Sequence, residues 1–235
     1  MPGGSVSKLA WLSELVTWGV TYGTFSVQHE TENELDEMFR RMPLRSSSVF
    51  LDLGCGAGTA LVKAFEFSPC CVVGLDLNRG ALQAAKAMLK PRHQKYLLVQ
   101  GDMARLPFKP EAFSHVCCRL SLPYVDQKRA IEEVGRVMDR GGLIFLQVHS
   151  FRFYAKLLLK EIWNWKRVIL NSFCLLNGLV FHFSSHQLTI RLKGRPYREL
   201  YQTEKGMRCL FGGVNLTAIW VENCRLFRLL GMKNR

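Results

Sequence analysis

Three carboxylates stand out by where the chain puts them. Asp52, Asp76 and Asp102 each lie at the end of a short apolar run, and the first run stops at Gly54, Gly56 and Gly58. An apolar run ending in closely spaced glycines reads as a buried parallel strand, a tight turn and the start of a helix. Glycine permits positive φ there and keeps any Cβ out of the way of a ligand. The following helix aims its unpaired N–H groups at whatever occupies the turn. A carboxylate at the tip of the second strand, about twenty residues on, can accept hydrogen bonds from both hydroxyls of a ribose. Asp52 would be costly to bury without a partner, which a ligand amine or backbone N–H groups would supply. Each feature has a plainer reading. The glycines could make only a strand-to-helix turn, Asp76 could cap the next helix (a task that suits Asn78), and Asp102 could be a turn residue after Gly101. The spacing is G-x-G-x-G, with Thr59 where a dinucleotide fingerprint has its third glycine, and this disfavours a nicotinamide cofactor.

Regular elements must hold these groups on one edge. Apolar runs at 49–53, 71–77, 96–100, 113–118 and 143–149 read as strands. Helices are expected between them, at 78–90 after Asn78 as N-cap and at 126–139, where Gly141 and Gly142 would end the helix and release the fifth strand. Strands alternating with helices call for an α/β fold with a parallel sheet, whose strand tips form the ligand-binding edge. Amphipathic helices are expected at 9–22 and 30–41 ahead of the first strand, and a helical pattern runs over 151–183. A helix from 202 to 210 and strands at 214–221 and 225–230 close the chain.

The motifs Leu51-Asp52-Leu53-Gly54-Cys55-Gly56-Ala57-Gly58-Thr59, Gly74-Leu75-Asp76-Leu77-Asn78, Gly101-Asp102-Met103-Ala104-Arg105-Leu106-Pro107-Phe108 and Arg136-Val137-Met138-Asp139-Arg140-Gly141-Gly142-Leu143 occur in this order over a little under half the chain. Together they resemble the Rossmann-like class I S-adenosylmethionine-dependent methyltransferases, nearest to the small-molecule branch that includes the quinone-biosynthesis methyltransferases. The resemblance implies a seven-stranded, mostly parallel sheet with an antiparallel final hairpin, helices on both faces and a helical lid-like insertion after strand five. It implies S-adenosyl-L-methionine as cofactor, with Asp52 and the turn of Gly54, Cys55, Gly56 and Gly58 at its amino-acid end. Asp76 and Leu77 would take the ribose, Asp102 the adenine amino group, Met103 the ring face, and Arg119 a further contact. Two departures, Ser114 where Asp is common and 139–142 where Lys-Pro-Gly-Gly is usual, lie away from the cofactor and bear on closeness of kinship.

Methyl transfer from a sulfonium is an in-line displacement that needs alignment and exclusion of water, and a general base only when the acceptor is a hydroxyl or an acidic carbon. The ends of strands four and five are where such a base is expected: Arg119, Ser121 and Tyr124 follow one and His149 ends the other. His149 is the first choice because its ordinary pKa is near neutrality, against the plainer reading of a locally hydrogen-bonded histidine. Tyr22, in the aromatic segment 22–29, is a second candidate at the reacting centre, or else packs on the core edge. Tyr124, Arg195 and Arg198 are the expected acceptor contacts, the two arginines as partners for a carboxylate or phosphate.

With 235 residues and 48% of them apolar, the chain can bury one α/β core. Its charge of +13 is unevenly placed: residues 151–235 hold 15 Lys/Arg against 4 Asp/Glu, residues 1–150 hold 17 against 15. The expected organisation is an N-terminal helical cap over 1–48, a cofactor-binding core over 49–150, a basic and apolar helical insertion over 151–201, and 202–235 completing the core. The insertion suits a lid over a greasy acceptor, a peripheral contact with a membrane surface, or an ordinary cover for the sheet. An RNA methyltransferase and a catalytically silent cofactor-binding scaffold are the alternatives, the former weakened because no Asn-Pro-Pro-Tyr-type or Pro-Cys motif is present. His182 and His186 have helical ligand spacing but no accompanying carboxylate, so no metal is expected. Eight cysteines without a C-x-x-C pair, several in apolar runs, suit buried free thiols and a reducing, cytoplasmic setting, and the first residues lack the layout of a signal peptide.

Overall fold

A computed structural model of the chain describes residues 32–90, 94–192, 194–224 and 226–234. The expected helix at 9–22, and Tyr22 with it, lies outside the described residues. The first described element is helix α1 (Glu32–Arg41), which leads into β1 (Val49–Leu53), α2 (Thr59–Phe67), β2 (Cys71–Asp76), α3 (Arg79–Leu89), β3 (Tyr96–Gln100) and β4 (Phe113–Arg119). A 3-10 turn (Leu122–Tyr124), α4 (Gln127–Val137) and β5 (Met138–His149) follow. Next come α5 (Phe151–Lys160), α6 (Trp165–Ser184), the hairpin β6 (Ile190–Leu192) and β7 (Arg195–Tyr197), α7 (Glu204–Gly212), β8 (Leu216–Asn223) and β9 (Leu226–Lys233).

Seven strands form one sheet in the order β3-β2-β1-β4-β5-β9-β8. β1 to β5 are parallel, whereas β9 is antiparallel to both β5 and β8. Alternation along each strand sorts side chains to two faces. Leu51, Leu53, Val116 and Ile144 pack with Ile131, Val134, Met207 and Phe211 of α4 and α7. Phe50, Val72, Cys117 and Phe145 pack with Met38, Phe39, Leu61 and Leu89 of α1, α2 and α3. The sheet is therefore covered on both faces, and only its strand tips are left to meet a ligand. Asn78 does cap α3, its Oδ1 accepting from the N–H groups of Gly80 and Ala81 at 2.9 and 3.3 Å.

Two expectations are corrected. Helix α4 stops at Val137, not Asp139, and β5 begins at Met138. The reason is that Met138 is fully buried and pairs with Phe113, while Gly141 (φ +77°) and Gly142 sit inside β5 at a register shift against β4. A Cβ on Gly142 would lie 2.9 Å from the Asp139 carbonyl oxygen, so these glycines make a bulge and not a helix stop. The helical pattern over 151–183 also divides in two. α5 ends at Lys160, and Asn164 starts α6 with its side chain accepting from Arg167 N–H at 3.4 Å. Ser114 Oγ accepts from Val49 N–H at 3.0 Å and ties the start of β4 to β1.

Candidate functional site

The order of the central strands places the ends of β3, β2, β1, β4 and β5 side by side. After β1 the backbone turns sharply, with Gly54 and Cys55 N–H both donating to the Leu75 carbonyl at 2.7 and 3.1 Å. Gly54 holds φ +73°, and a Cβ there would come within 2.1 Å of Ser121 Oγ, so the β4 loop can close on the turn only over glycine. Gly56 holds φ +52° and has open space on the side where a Cβ would point. Gly58, the N-cap of α2, offers no side-chain acceptor, so the first N–H groups of α2 are left facing the turn.

Asp76 is built into this bend. Its Oδ2 accepts from Gly56 N–H at 2.9 Å and its Oδ1 from Asn78 N–H at 2.8 Å. Each oxygen keeps lone-pair capacity for an incoming hydroxyl. Asp52 is buried and accepts from Cys117 Sγ on the neighbouring strand at 3.1 Å. Together with desolvation, the carboxylates Asp52 and Asp76 push the Cys55 thiol well above its ordinary pKa, so Cys55 stays protonated. Met103 is buried and its Cε lies 3.5 Å from the Cβ position at Gly54, which brings the β3 loop to the same turn. Asp102 is exposed, with Oδ1 accepting from Ala104 N–H at 2.9 Å, the turn role considered for it. Leu77 is exposed beyond β2. Arg119 Nη2 donates to Thr59 Oγ1 at 3.1 Å, joining the end of β4 to the first residue of α2. The structure thus gathers the glycine turn, Asp76, Met103, Arg119 and Ser121 on one edge, with Asp52 just beneath it.

The expected base is less well served. His149 is buried, its ring stacked on Phe153 at 3.7 Å and edge-on to Tyr154 at 5.8 Å. Burial pulls its pKa down to about 3, so the imidazole is a weak proton acceptor near neutrality. This corrects the reading that drew on its ordinary pKa. Arg195 stands exposed on β7, and Arg198, one residue past that strand, donates Nε to Thr189 Oγ1 at 3.0 Å just ahead of β6.

Beyond the ends of β4 and β5 the structure adds a cluster that sequence reading missed. Glu199 is buried and accepts from Tyr154 Oη at 2.8 Å and Tyr197 Oη at 2.9 Å. Tyr124 also bonds to it. Burial raises the pKa of Glu199, opposed by these hydroxyls, and raises those of Tyr154 and Tyr197, next to which the carboxylate sits. The signal available was a lone acidic residue inside Arg198-Glu199-Leu200-Tyr201, in a segment otherwise almost without carboxylates.

A seven-stranded sheet of this order, with a glycine turn after β1 and a carboxylate at the tip of β2, defines the class I Rossmann-like methyltransferase fold. Residues 51–146 match the family described as methyltransferase domain. The malonyl-[acyl-carrier protein] O-methyltransferase of Enterobacter lignolyticus is 27% identical over 129 residues, 52% of this chain and 49% of that protein. The sterol 24-C-methyltransferase of Schizosaccharomyces pombe is 28% identical over 106 residues, 44% of this chain and 28% of that protein. The chain thus spans about half the length, or less, of these curated relatives. Among solved structures, geranyl diphosphate C-methyltransferase from Streptomyces coelicolor, in complex with Mg2+, geranyl diphosphate and S-adenosyl-L-homocysteine, superposes with a TM-score of 0.62. At 9% identity, over 86% of this chain and 77% of that one, the likeness concerns the fold.

Proposed function

We propose that the chain is an S-adenosyl-L-methionine-dependent methyltransferase acting on a small, lipophilic or anionic acceptor. The observation that carries this reading is the bond from Gly56 N–H to Asp76, which locks a ribose-binding carboxylate onto a side-chain-free turn at the tips of β1 and β2. The residues fit the cofactor. The open side of Gly56 admits an amino-acid moiety, Asp76 accepts from the ribose, and Met103 and Asp102 stand on the β3 loop to take the base. When bound, the sulfonium supplies a methyl group with an excellent leaving group. The chain's part is to orient that group toward the ends of β4 and β5, where Ser121, Tyr124 and the Glu199 cluster stand, and to keep water away. The relatives named for sterol acceptors support an acceptor with an apolar body, and those named for malonyl-[acyl-carrier protein] support one that carries a carboxylate. Eight cysteines, all as free thiols and five of them buried, support a reducing, cytoplasmic compartment.

The test is calorimetry with S-adenosylmethionine, followed by mass spectrometry of a cell extract given the protein and labelled cofactor. Asp76→Ala should cut cofactor affinity by about 100-fold, as expected for lost charge-assisted hydrogen bonds, while circular dichroism stays unchanged. Full affinity in Asp76→Ala, or no binding by the parent chain, would remove the reading.

A further inference from the structure

Helix α6 is inverted in what it hides. Its buried residues include Asn171, Asn177 and Gly178 along with Cys174 and Phe181. Trp165, Ile169, Leu176, Leu179 and Phe183 are 49 to 71% exposed. With Ser172, these outward residues recur at alternating steps of four and three, so they fall within about 40° of one line along a helix of 3.6 residues per turn and form a stripe about 27 Å long. The inward face is fixed in place. Asn177 Nδ2 donates to the carbonyls of Leu188, Arg198 and Glu199 at 3.1, 2.9 and 3.1 Å, and its Oδ1 accepts from Leu188 N–H at 2.6 Å. At Gly178 the Tyr201 ring would lie 2.2 Å from a Cβ. Rotating α6 to hide the stripe would break these four bonds and drive the helix into Tyr201.

The stripe continues into the α5–α6 junction, where Leu159, Ile162 and Trp163 are 77, 56 and 94% exposed. On α5, the helix joined to it, Arg152, Lys156 and Lys160 lie one turn apart, all exposed, and line a groove with Phe153 and Leu157. An apolar band on one helix, a row of cations on the helix joined to it and an exposed indole in their junction match a surface that is anionic outside and hydrocarbon inside. We infer that α5 and α6 dock this protein flat on an anionic lipid bilayer, the cation row on the phosphates and the α6 stripe in the acyl boundary.

Other occupants fit worse. A second copy facing the stripe would bring two cation rows toward each other, and a nucleic acid would leave the apolar stripe unused. α6 is long and apolar enough, by length and composition, to cross a bilayer. Crossing would strip Asn177 of its carbonyl partners in a medium that supplies none. The inference stands apart from the methyl-transfer reading, since docking is measured without turnover.

The test is co-sedimentation of the full chain with vesicles of phosphatidylcholine alone, or of phosphatidylcholine and phosphatidylglycerol at about three to one. Binding to the mixed vesicles should be about tenfold stronger and should weaken as salt rises. Ile169→Ser with Leu176→Ser should abolish binding to both vesicles, with circular dichroism and cofactor affinity as in the parent. Arg152→Ala with Lys156→Ala and Lys160→Ala should remove only the preference for phosphatidylglycerol. The inference is overturned if the parent chain stays in the supernatant with both vesicles, or if the serine pair leaves binding intact. It is equally overturned if the serine pair turns a dimer into a monomer by light scattering without changing vesicle binding.

Discussion

Helices α4 and α6 both flank the sheet region, and they obey opposite rules. α4 hides Ala130, Ile131, Val134 and Val137 and shows Lys128, Arg129 and Glu132. α6 hides two asparagines and a glycine along with Cys174 and Phe181, and shows a line of Ile, Leu, Trp and Phe. In α4 removal of apolar area from water decides which face turns inward. In α6 hydrogen bonds share that role with the buried Cys174 and Phe181: Asn177 donates to three carbonyls and accepts from one N–H of the chain at 188–199. The contrast shows that one chain can hold a helix by area in one place and with the help of polar complementarity in another, and that the second leaves apolar surface exposed.

The sharpest way to break the comparison is to treat the asparagine as dispensable. Asn177→Leu adds apolar area but takes this partner from the carbonyls of Leu188 and Glu199 and from Leu188 N–H, while the Arg198 carbonyl keeps Gln187 Nε2. It should lower stability by roughly 3 kcal/mol, as buried groups left without partners do. Ile131→Ala in α4 should lose a comparable amount, about 2 to 5 kcal/mol, through lost burial and a cavity. Urea unfolding of both checks this. If Asn177→Leu were neutral, hydrogen bonding would not be what sets the orientation of α6.

A second comparison sharpens the role of burial at the end of β5. His149 has a folded pKa of about 3 against an ordinary 6.5. Between those values the unfolded chain takes up a proton that the folded chain refuses, so stability is present above pH 6.5 and is lost as pH falls toward about 3. His149→Phe keeps the stack on Phe153 and removes the titration. Relative to it, the parent should lose on the order of 2 kcal/mol between pH 7 and pH 4.5, read as midpoints of urea unfolding at each pH. Glu199, raised by burial, contributes with the opposite sign but is present in both proteins, so the difference isolates His149. Parallel stability profiles would mean that the imidazole is not desolvated.

What could be read in the sequence follows the same divide. The strands around Asp52, Asp76 and Asp102, the glycine turn and the Asn78 cap were legible because each is set by neighbours within a few residues: an apolar run, a left-handed backbone, a side chain reaching two residues on. Met138 was not, since the helical period continues past it and only its pairing with Phe113 shows that it starts a strand. His149 was read at its ordinary pKa because the stacking Phe153 arrives from the next helix. The Glu199 cluster draws Tyr124, Tyr154 and Tyr197 from three separated segments, which no spacing announces. For α6, hydrophobicity on nearly every side left its inward face undetermined.

The smallest expected effect is also the most discriminating. Leu176 is 54% exposed at the centre of the α6 stripe. If that stripe serves a partner and not the fold, Leu176→Ser should change unfolding free energy by less than about 0.5 kcal/mol, the range of surface substitutions. A leucine buried in the core would cost several times more. Differential scanning calorimetry without vesicles measures the term directly. A loss of about 2 kcal/mol or more, the scale of a core truncation, would place Leu176 in the core and make α6 a helix of the same kind as α4.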